Sequence, residues 1–377
     1  EGGVVTIDLH YGSTRNIQLT RIHLEEDAGK TIHSDSHNVS YVDLNRCGVP
    51  LIEIVSEPVI RSAEEASAYL KELRNIVRYL DICDGHMEQG SFRCDANVSV
   101  RPVGREALGT RVELKNINSF NYVKRGIEYE IARQIELIED GGRVVQETRL
   151  WDSNVGRSKP MRSKEDAHDY RYFPCPDLLP LVVPEDLWNE VKSTLPELPR
   201  ARRKRYQSAY DLSSYDADVL TSEKEISEYF QSLVDTGASP KIAANWVQGE
   251  LRGRLNADGL EMNQSPVSPQ ALGQILQRIA QGKLSGNLAK KVFARVYDGE
   301  EIATVLNEVG EQLTDTGAIE TQVVSVLDAH PDEIQSYLDG KNKVFGFFMG
   351  KVMQATAGKA NPGAVKQILT EQLEKRK

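Results

Sequence analysis

The strongest strand pattern of this chain lies in residues 87–116, MEQGSFRCDANVSVRPVGREALGTRVELKN. Apolar side chains occupy every second position of its first half, at Phe92, Cys94, Ala96, Val98 and Val100. The same period of two returns after the glycines of residues 104–109, where Val112 and Leu114 are the apolar members. This alternation predicts an antiparallel pair of strands that places one apolar face on a core.

The opposite face of the two predicted strands carries charged and amide side chains. They are Arg93, Asp95, Asn97, Glu113 and Lys115. Contact with water alone is the simpler interpretation, since most polar strand faces are solvated. The same groups could instead hold a divalent cation through oxygen ligands and bind phosphates through their basic members. Both interpretations stay open at this point.

The composition is that of an ordinary globular protein. The 377 residues include 27% charged and 40% apolar residues, and the length allows two or three domains. No apolar run approaches the roughly 18 residues that cross a bilayer, and no secretory leader is visible, so we expect no membrane association. Because the chain starts at Glu1 and runs at once into strand-like sequence, we expect a fragment whose N-terminal segment is missing.

The four cysteines are widely spaced in the sequence, and Cys94 lies on the predicted apolar strand face. Such spacing favours reduced thiols over a disulfide framework or a zinc site. We therefore expect a cytoplasmic protein.

The charge is unevenly distributed along the chain. The net charge is −10, but the residues from Lys341 onward carry +6, so the remainder carries −16. The lysines of this basic end include Lys341, Lys343, Lys351 and Lys359. Basic side chains clustered at helix ends suit a phosphate backbone, so the sequence predicts nucleic-acid contact here without base reading.

A second unusual stretch is HLEEDAGK, residues 23–30, at the end of a predicted hairpin strand. A solvated acidic loop is the simpler interpretation of three adjacent carboxylates. A bound metal ion or facing cations would relieve their mutual repulsion, which is the alternative. A later apolar run, residues 51–57, carries Glu53 and predicts a central strand.

Three domains follow from helix and linker signals. Helical spacing after Ser62 and after Phe120 places helices among the predicted strands, which indicates an α+β domain. Six of the fifteen prolines lie between Pro174 and Pro199, which marks a linker. The later sequence is mostly helical, with a second boundary near residue 299. We predict an antiparallel-sheet cradle domain over 1–185, an all-α domain over 186–299 and a small all-α tail over 300–377.

Other motifs are ambiguous or absent. Residues 159–164 and 170–174 mix basic and aromatic side chains, which suits base stacking and a strand rim equally well. No GxxxxGK[ST] loop, strand-linked GxGxxG or GxSxG occurs. Nucleotide sites of the P-loop and Rossmann kinds are thereby excluded.

Long strings of the chain resemble the B-subunit family of the aspartyl/glutamyl-tRNA amidotransferases. The strings are HLEEDAGK (23–30), DLNRCGVPLIEIVSEP (43–58), MEQGSFRCDANVSVRP (87–102), ELKNINSFNYV (113–123), DYRYFPCPDLLPL (169–181) and GKVMQATAGKANP (350–362). They follow the family's order over nearly the whole chain. The resemblance implies a catalytic cradle, a helical domain and a small helical tail.

The resemblance also implies a reaction. The family uses ATP and Mg²⁺ to phosphorylate the side-chain carboxylate of Glu or Asp mis-attached to tRNA(Gln) or tRNA(Asn), then displaces the phosphate with ammonia. The ammonia comes from glutamine hydrolysed in an A subunit, and a C subunit braces the pair. The implied activity is that of an ATP-dependent carbon–nitrogen ligase with glutamine as amido donor.

Site residues carried over from the resemblance are Glu26 and Glu113 as metal-facing carboxylates, with Glu25 and Asp27 as further candidates. Strand alternation alone puts Glu26 on the side of Leu24, so its role requires a bulge or loop. Asp95, Lys115 and Arg93 would line the ammonia path or contact phosphates. Phosphoryl transfer needs charge neutralisation and positioning more than a covalent nucleophile, which agrees with this set.

The family's initial Gly-Leu-Glu-Val-His string and its cysteine-rich motif do not occur in this sequence. We therefore expect an incomplete Mg²⁺ site in this chain alone, and no activity without further components. A non-catalytic scaffold that binds tRNA and assembles subunits is the alternative function.

Overall fold

The computed structural model describes residues 2–9, 12–33, 39–161, 182–310, 316–356 and 358–376. The chain divides into two compact units, residues 1–196 and 197–377. Among the described residues, no helix is both long and apolar enough to cross a membrane. The predicted basic–aromatic motif at 170–174 and the string at 169–181 lie outside the described residues.

The first unit contains three sheets in its described part. Their strand orders are β1-β2-β5, β3-β4 and β6-β7-β8-β9. All strand pairs are antiparallel except β7 and β8, which run parallel. The strands are β1 Val4–Asp8, β2 Thr14–Glu26, β3 Lys30–His33, β4 Ser40–Asp43, β5 Pro50–Ser56, β6 Ala96–Val98, β7 Val112–Lys115, β8 Thr148–Asp152 and β9 Arg157–Pro160.

The predicted strand over residues 92–100 is shorter in the structure. Only Ala96–Val98 pair with β7, because β7 itself offers just four residues, Val112–Lys115. The segment before β6 turns instead, and the Asp84 carboxylate accepts hydrogen bonds from the backbone N–H of His86 at 2.9 Å and from the Ser91 hydroxyl. The predicted polarity is retained, since Val112 and Leu114 are fully buried and Glu113 and Lys115 are not.

Two long helices, α1 (Ala63–Tyr79) and α2 (Phe120–Glu139), pack against the β1-β2-β5 and β6-β7-β8-β9 sheets of this unit. Ser62 and Ser119 begin them by accepting a backbone N–H three residues ahead, as N-cap hydroxyls do. Their apolar stripes pack into one core with strand residues, including Ile7, Ile17, Leu114 and Trp151. A short helix, α3 (Glu185–Thr194), ends the unit.

The second unit is helical in its described part. One core extends from Tyr206 to Leu306, and a separate core extends from Ile319 to Leu373. The predicted α+β class, with sheets first and helices after them, is confirmed. The domain boundaries at 185/186 and 299/300 stay predictions; Val305 and Leu306 pack into the first of these two cores.

The helices of the second unit include a π-helical turn, Val247–Leu251, and a 3₁₀ turn, Met262–Gln264. The α-helices are α4 Pro199–Tyr210, α5 Ser214–Thr221, α6 Lys224–Asp235, α7 Pro240–Trp246, α8 Arg252–Asp258, α9 Pro269–Ala280, α10 Gly286–Tyr297, α11 Ile302–Val309, α12 Thr316–Asp328, α13 Pro331–Leu338, α14 Val344–Ala355 and α15 Pro362–Glu374.

Candidate active site

The polar face of β6 and β7 forms a chain of ionic contacts. Lys115 Nζ donates to Asp95 Oδ2 at 2.7 Å and lies 3.4 Å from Glu113 Oε1. Burial acts to lower the pKa of the Lys115 ammonium, but the hydrogen bonds and charges of Asp95 and Glu113 outweigh it and raise that pKa. Lys115 is therefore a cation at neutral pH, held between two carboxylates.

The other oxygen of Glu113 has its own donor. Thr148 begins β8, pairs with Glu113 across the parallel ladder, and donates its hydroxyl to Glu113 Oε2 at 2.8 Å. Glu113 is thus held from both sides, by a cation on one oxygen and a neutral hydroxyl on the other.

A second ionic group surrounds Asp27, which directly follows β2. Asp27 Oδ2 accepts from Arg46 Nε and from Arg93 Nη2, each at 2.9 Å. Burial acts to raise the pKa of Asp27, but the hydrogen bonds and charges of Arg93 and Arg46 outweigh it and lower that pKa. Backbone bonds from Asp27 N to Val49 O and from Gly48 N to Asp27 O fix the position of the carboxylate.

A third group lies on β2 and β5. His23 Nε2 lies 2.6 Å from Glu25 Oε1 and 3.2 Å from Glu53 Oε2. The possible ligand atoms of these three residues all lie within 4.8 Å of one another, which makes them a candidate metal centre among the described residues. Two carboxylates with room for water suit Mg²⁺, and the imidazole offers a further ligand or a hydrogen bond. The residues present therefore fit a divalent cation.

These three groups form one polar line across the first unit. Glu25 and Asp27 are two residues apart on β2 and its continuation, so they share a face and lie roughly 7 Å apart along the strand. Arg93 and Asp95 are likewise two residues apart, and they join the Asp27 group to the Lys115 group. The line runs from Glu53 to Thr148.

The predicted site residues are distributed unevenly over this line. Asp95, Lys115, Glu113 and Arg93 all belong to it. Glu26 does not: it pairs with Pro50 at the end of β2, is exposed, and points to the opposite face from Glu25. The structure contains a bulge in this strand, but it lies at Thr20, before the acidic stretch.

The tail lysines lie apart from this line, in the second unit. Lys341 and Lys343 are exposed in the turn before α14. Lys351 Nζ lies 5.6 Å from the centre of the Phe347 ring, which is itself 37% exposed. Lys359 lies in the turn before α15 and is half-buried. Their predicted contact with tRNA stays a prediction.

Two family models match this chain. Residues 1–189 match the model of the GatB/GatE catalytic domain, and residues 228–373 match the model of the GatB domain. The chain belongs to the GatB family. The catalytic-domain match covers the whole polar line, and the GatB-domain match covers the tail lysines.

Curated relatives cover almost the whole chain. The B subunit of the aspartyl/glutamyl-tRNA(Asn/Gln) amidotransferase of Alkalilimnicola ehrlichii is 54% identical over 377 residues, which are 99% of this chain and 79% of that protein. The protein of the same name from Thioalkalivibrio sulfidiphilus is 54% identical over 375 residues, 99% of this chain and 79% of that protein. The protein of the same name from Trichlorobacter lovleyi is 54% identical over 370 residues, which are 97% of this chain and 78% of that protein.

Sequence reasoning missed four members of the polar line in this GatB-family chain. They are His23, Arg46, Glu53 and Thr148. The sequence did contain indications of two of them. Glu53 is a single carboxylate in an apolar strand, and His23 is two residues from Glu25, which places both side chains on the same face of a strand. Arg46 and Thr148 carried no signal, because their partners are 19 and 35 residues away in the chain.

Proposed function

We propose that this chain works in a tRNA-dependent amidotransferase that converts Glu-tRNA(Gln), Asp-tRNA(Asn) or both into Gln-tRNA(Gln) and Asn-tRNA(Asn). An oxygen of the mis-attached side chain attacks the γ-phosphorus of ATP, which gives an acyl phosphate and ADP. Ammonia then attacks the acyl carbon, phosphate leaves with the C–O bond electrons, and the product is the amide.

The continuous polar line from Glu53 to Thr148 carries this proposal. Its carboxylates and imidazole are chemically suited to a divalent cation, and its arginines and lysine are suited to anions. Phosphoryl transfer depends on bringing these two kinds of group together in fixed positions. The Arg93–Asp27 ion pair also joins the segment before β6 to the end of β2, which a merely solvated strand face would not require.

We assign the cation to His23, Glu25 and Glu53, whose ligand atoms cluster. Mg²⁺ bound there would neutralise charge on the phosphates. Glu26, which the resemblance implies as a metal ligand, lies on the other face of β2, so we do not assign it to this centre. Glu113 stays the second predicted metal-facing carboxylate.

Asp95 and Lys115, which lie next to Glu113, form the part of the line that we assign to ammonia. Alternating acceptors and a cation can pass a small polar molecule along while keeping each group hydrogen-bonded. An acyl phosphate hydrolyses readily, so ammonia must reach it along a path from which water is excluded.

The partners in this proposal are a glutamine-hydrolysing A subunit, a bracing C subunit and the misacylated tRNA. The relatives are named as the B subunit of an amidotransferase, which supports a multi-subunit assembly. Lys341, Lys343, Lys351 and Lys359 would contact the tRNA backbone. Because aminoacyl-tRNA and ATP are the substrates, the proposal places the reaction in the cytoplasm.

The test is Glu113→Gln in the assembled enzyme. We expect amidation of misacylated tRNA to be abolished while glutamine hydrolysis continues, since the amide keeps the shape and loses the charge. Glu128→Gln, on the exposed surface of α2, is the matched control and should leave both reactions unchanged. Full amidation by Glu113→Gln would refute the role of the polar line and leave tRNA binding as the function.

The tail is tested separately by tRNA titration at several salt concentrations. Changing Lys351 and Lys359 to Ala should weaken binding and reduce the salt dependence by about two counterions. The control changes Lys71 and Lys192 to Ala, two exposed lysines of α1 and α3. Equal effects of the two pairs would show that the tail charge is an ordinary solvated surface.

A further inference from the structure

Two arginines from separate loops share the single carboxylate of Asp27, and the reaction described above gives them no assigned role together. Arg46 precedes β5 and Arg93 precedes β6, yet both hydrogen-bond Asp27 Oδ2 at 2.9 Å. The Asp27 side chain is only 11% exposed, whereas the two arginine side chains are 47% and 51% exposed. The carboxylate is covered and the two cations face outward.

Asp27 offsets only part of the positive charge of Arg46 and Arg93 and accepts few of their hydrogen-bond donors. Two guanidinium cations and one carboxylate sum to one positive charge, so Asp27 does not neutralise the pair. A guanidinium has five N–H donors, and the hydrogen bonds to Asp27 use one from each arginine. In the part of the chain that the structure describes, no other carboxylate pairs with either side chain.

The space beside Arg46 is open. Gly90 lies there with φ +76°, a conformation that favours glycine, and a Cβ at this position would lie 3.5 Å from Arg46 Nη1. Any longer side chain would lie against the guanidinium and cover its donors. The loop therefore leaves the outward edge of Arg46 accessible to a ligand.

The position of the two arginines relative to the candidate metal centre indicates which kind of anion they would bind. Asp27 follows Glu25 by two residues on the same face, so the carboxylate that holds the two arginines lies roughly 7 Å along the strand from Glu25. A polyphosphate chain can reach from a metal ion to a cation at this separation. Metal ions that bridge the last two phosphates beside an arginine or lysine are the common arrangement in phosphoryl transfer.

We propose that Arg46 and Arg93 bind the polyphosphate of ATP beside the metal centre, and that Asp27 is the positioning residue that holds both guanidiniums. This inference rests on the proposed function for its nucleotide. The two 2.9 Å hydrogen bonds to Asp27 Oδ2 hold both guanidiniums in fixed positions.

The experiment uses Arg46→Ala, Arg46→Lys and Arg61→Ala in the assembled enzyme. Arg61 is the matched control, because it is an exposed arginine of the same unit whose side chain, among the described residues, donates only to the carbonyls of Pro58 and Ile60. We expect Arg46→Ala to raise KM for ATP roughly tenfold or more, with KM for glutamine and for misacylated tRNA unchanged. The KM for ATP of Arg46→Lys should lie between those of the parent enzyme and Arg46→Ala, since lysine restores the charge but lacks the planar guanidinium with its paired N–H donors.

Tripolyphosphate separates phosphate binding from a general loss of structure. It should inhibit the parent enzyme competitively with ATP and lose this inhibition in Arg46→Ala, while Arg61→Ala keeps it. For Asp27→Asn we expect a smaller rise in KM for ATP, and a combined effect with Arg46→Ala below the sum of the two single effects, because only Arg93 is then left for Asp27 to position. Such non-additivity identifies a residue that acts through its partner.

Two results would overturn the proposal. An unchanged KM for ATP with a raised KM for misacylated tRNA would assign the arginines to the substrate carboxylate. Unchanged values for both, with a lowered thermal midpoint, would make the group a structural ion pair. Glu113→Gln reports on the proposed function independently, because loss of that function leaves the binding of tripolyphosphate measurable.

Discussion

Glu53 lies directly opposite His23 across the β2–β5 pair, with its Oε2 3.2 Å from the imidazole Nε2. This pairing depends on the bulge at Thr20. Before the bulge Leu19 pairs with Ser56, and after it Arg21 pairs with Val55, so β2 holds one extra residue. Without that residue Glu53 would pair with Ile22, and the even-numbered side chains, Glu26 among them, would share its face. The bulge therefore selects which carboxylates of the acidic stretch meet Glu53.

The first prediction compares the two faces of β2. Glu53→Gln should raise the Mg²⁺ concentration needed for half-maximal amidation by at least about tenfold, since it removes a charged ligand. Glu26→Gln should leave that concentration unchanged. Titration of both variants with Mn²⁺ gives the same comparison without catalysis. A raised Mg²⁺ requirement in Glu26→Gln and an unchanged one in Glu53→Gln would make Glu26 a metal ligand in place of Glu53.

The second prediction concerns the Thr148 hydroxyl. Thr148→Val keeps the shape of the side chain and removes the donor to Glu113 Oε2. We expect the amidation kcat to fall by roughly tenfold, with KM for tRNA unchanged, since a hydrogen bond to a charged group is lost. Thr148→Ser should restore the parent rate. A serine variant as slow as the valine variant would show that packing, and not the hydroxyl, supports Glu113.

The third prediction concerns stability. Glu130 is fully buried on α2 and accepts bonds from Arg133 and Gln134, with Arg149 Nε 3.8 Å away. Glu130→Ala leaves the buried Arg149 and the half-buried Arg133 without this carboxylate, so we expect a loss of about 3 kcal/mol in the free energy of unfolding, measured in urea. Glu128→Ala removes an exposed carboxylate of the same helix and should change the urea midpoint little.

The fourth prediction uses the pH dependence of cysteine labelling. Burial, with a further contribution from Asp95, raises the pKa of the Cys94 thiol to about 12, whereas Cys47 is exposed. A thiol is alkylated as its thiolate, so at pH 8 Cys94 should react about a thousandfold more slowly than an ordinary cysteine. Its rate should keep rising tenfold per pH unit where an ordinary thiol has levelled off. Mass-spectrometric mapping of each cysteine checks this; fast labelling of Cys94 in the native protein would contradict it.

Periodicity in the sequence predicted most elements of the fold. The caps at Ser62 and Ser119 and the alternation in β7 depend on neighbours within a few residues, so local rules were sufficient. The length of β6 was not predictable in this way, because it depends on how many residues β7 offers for pairing. The parallel pairing of β7 and β8 was not predicted either, since the whole of α2 separates the two strands in the chain.

Local alternation in the sequence predicted only part of the candidate site. Glu113, Lys115 and Asp95 were found because they alternate with apolar neighbours on adjacent strands. His23 and Glu53 required the register of β2 on β5, which one bulged residue changes. No sequence pattern marks that residue, so the choice between Glu25 and Glu26 needed coordinates.

The parallel pairing of β7 and β8 has a consequence for how this protein folds. The chain must complete the 20 residues of α2 before Thr148 can reach Glu113, so the two side chains cannot meet in a local hairpin. Backbone amides of these two strands should therefore exchange with deuterium only as the whole sheet opens, and slower than those of the β1–β2 hairpin, which can re-form by itself. The Glu113–Lys115 end of the polar line and this cooperative unfolding unit are then the same piece of the molecule.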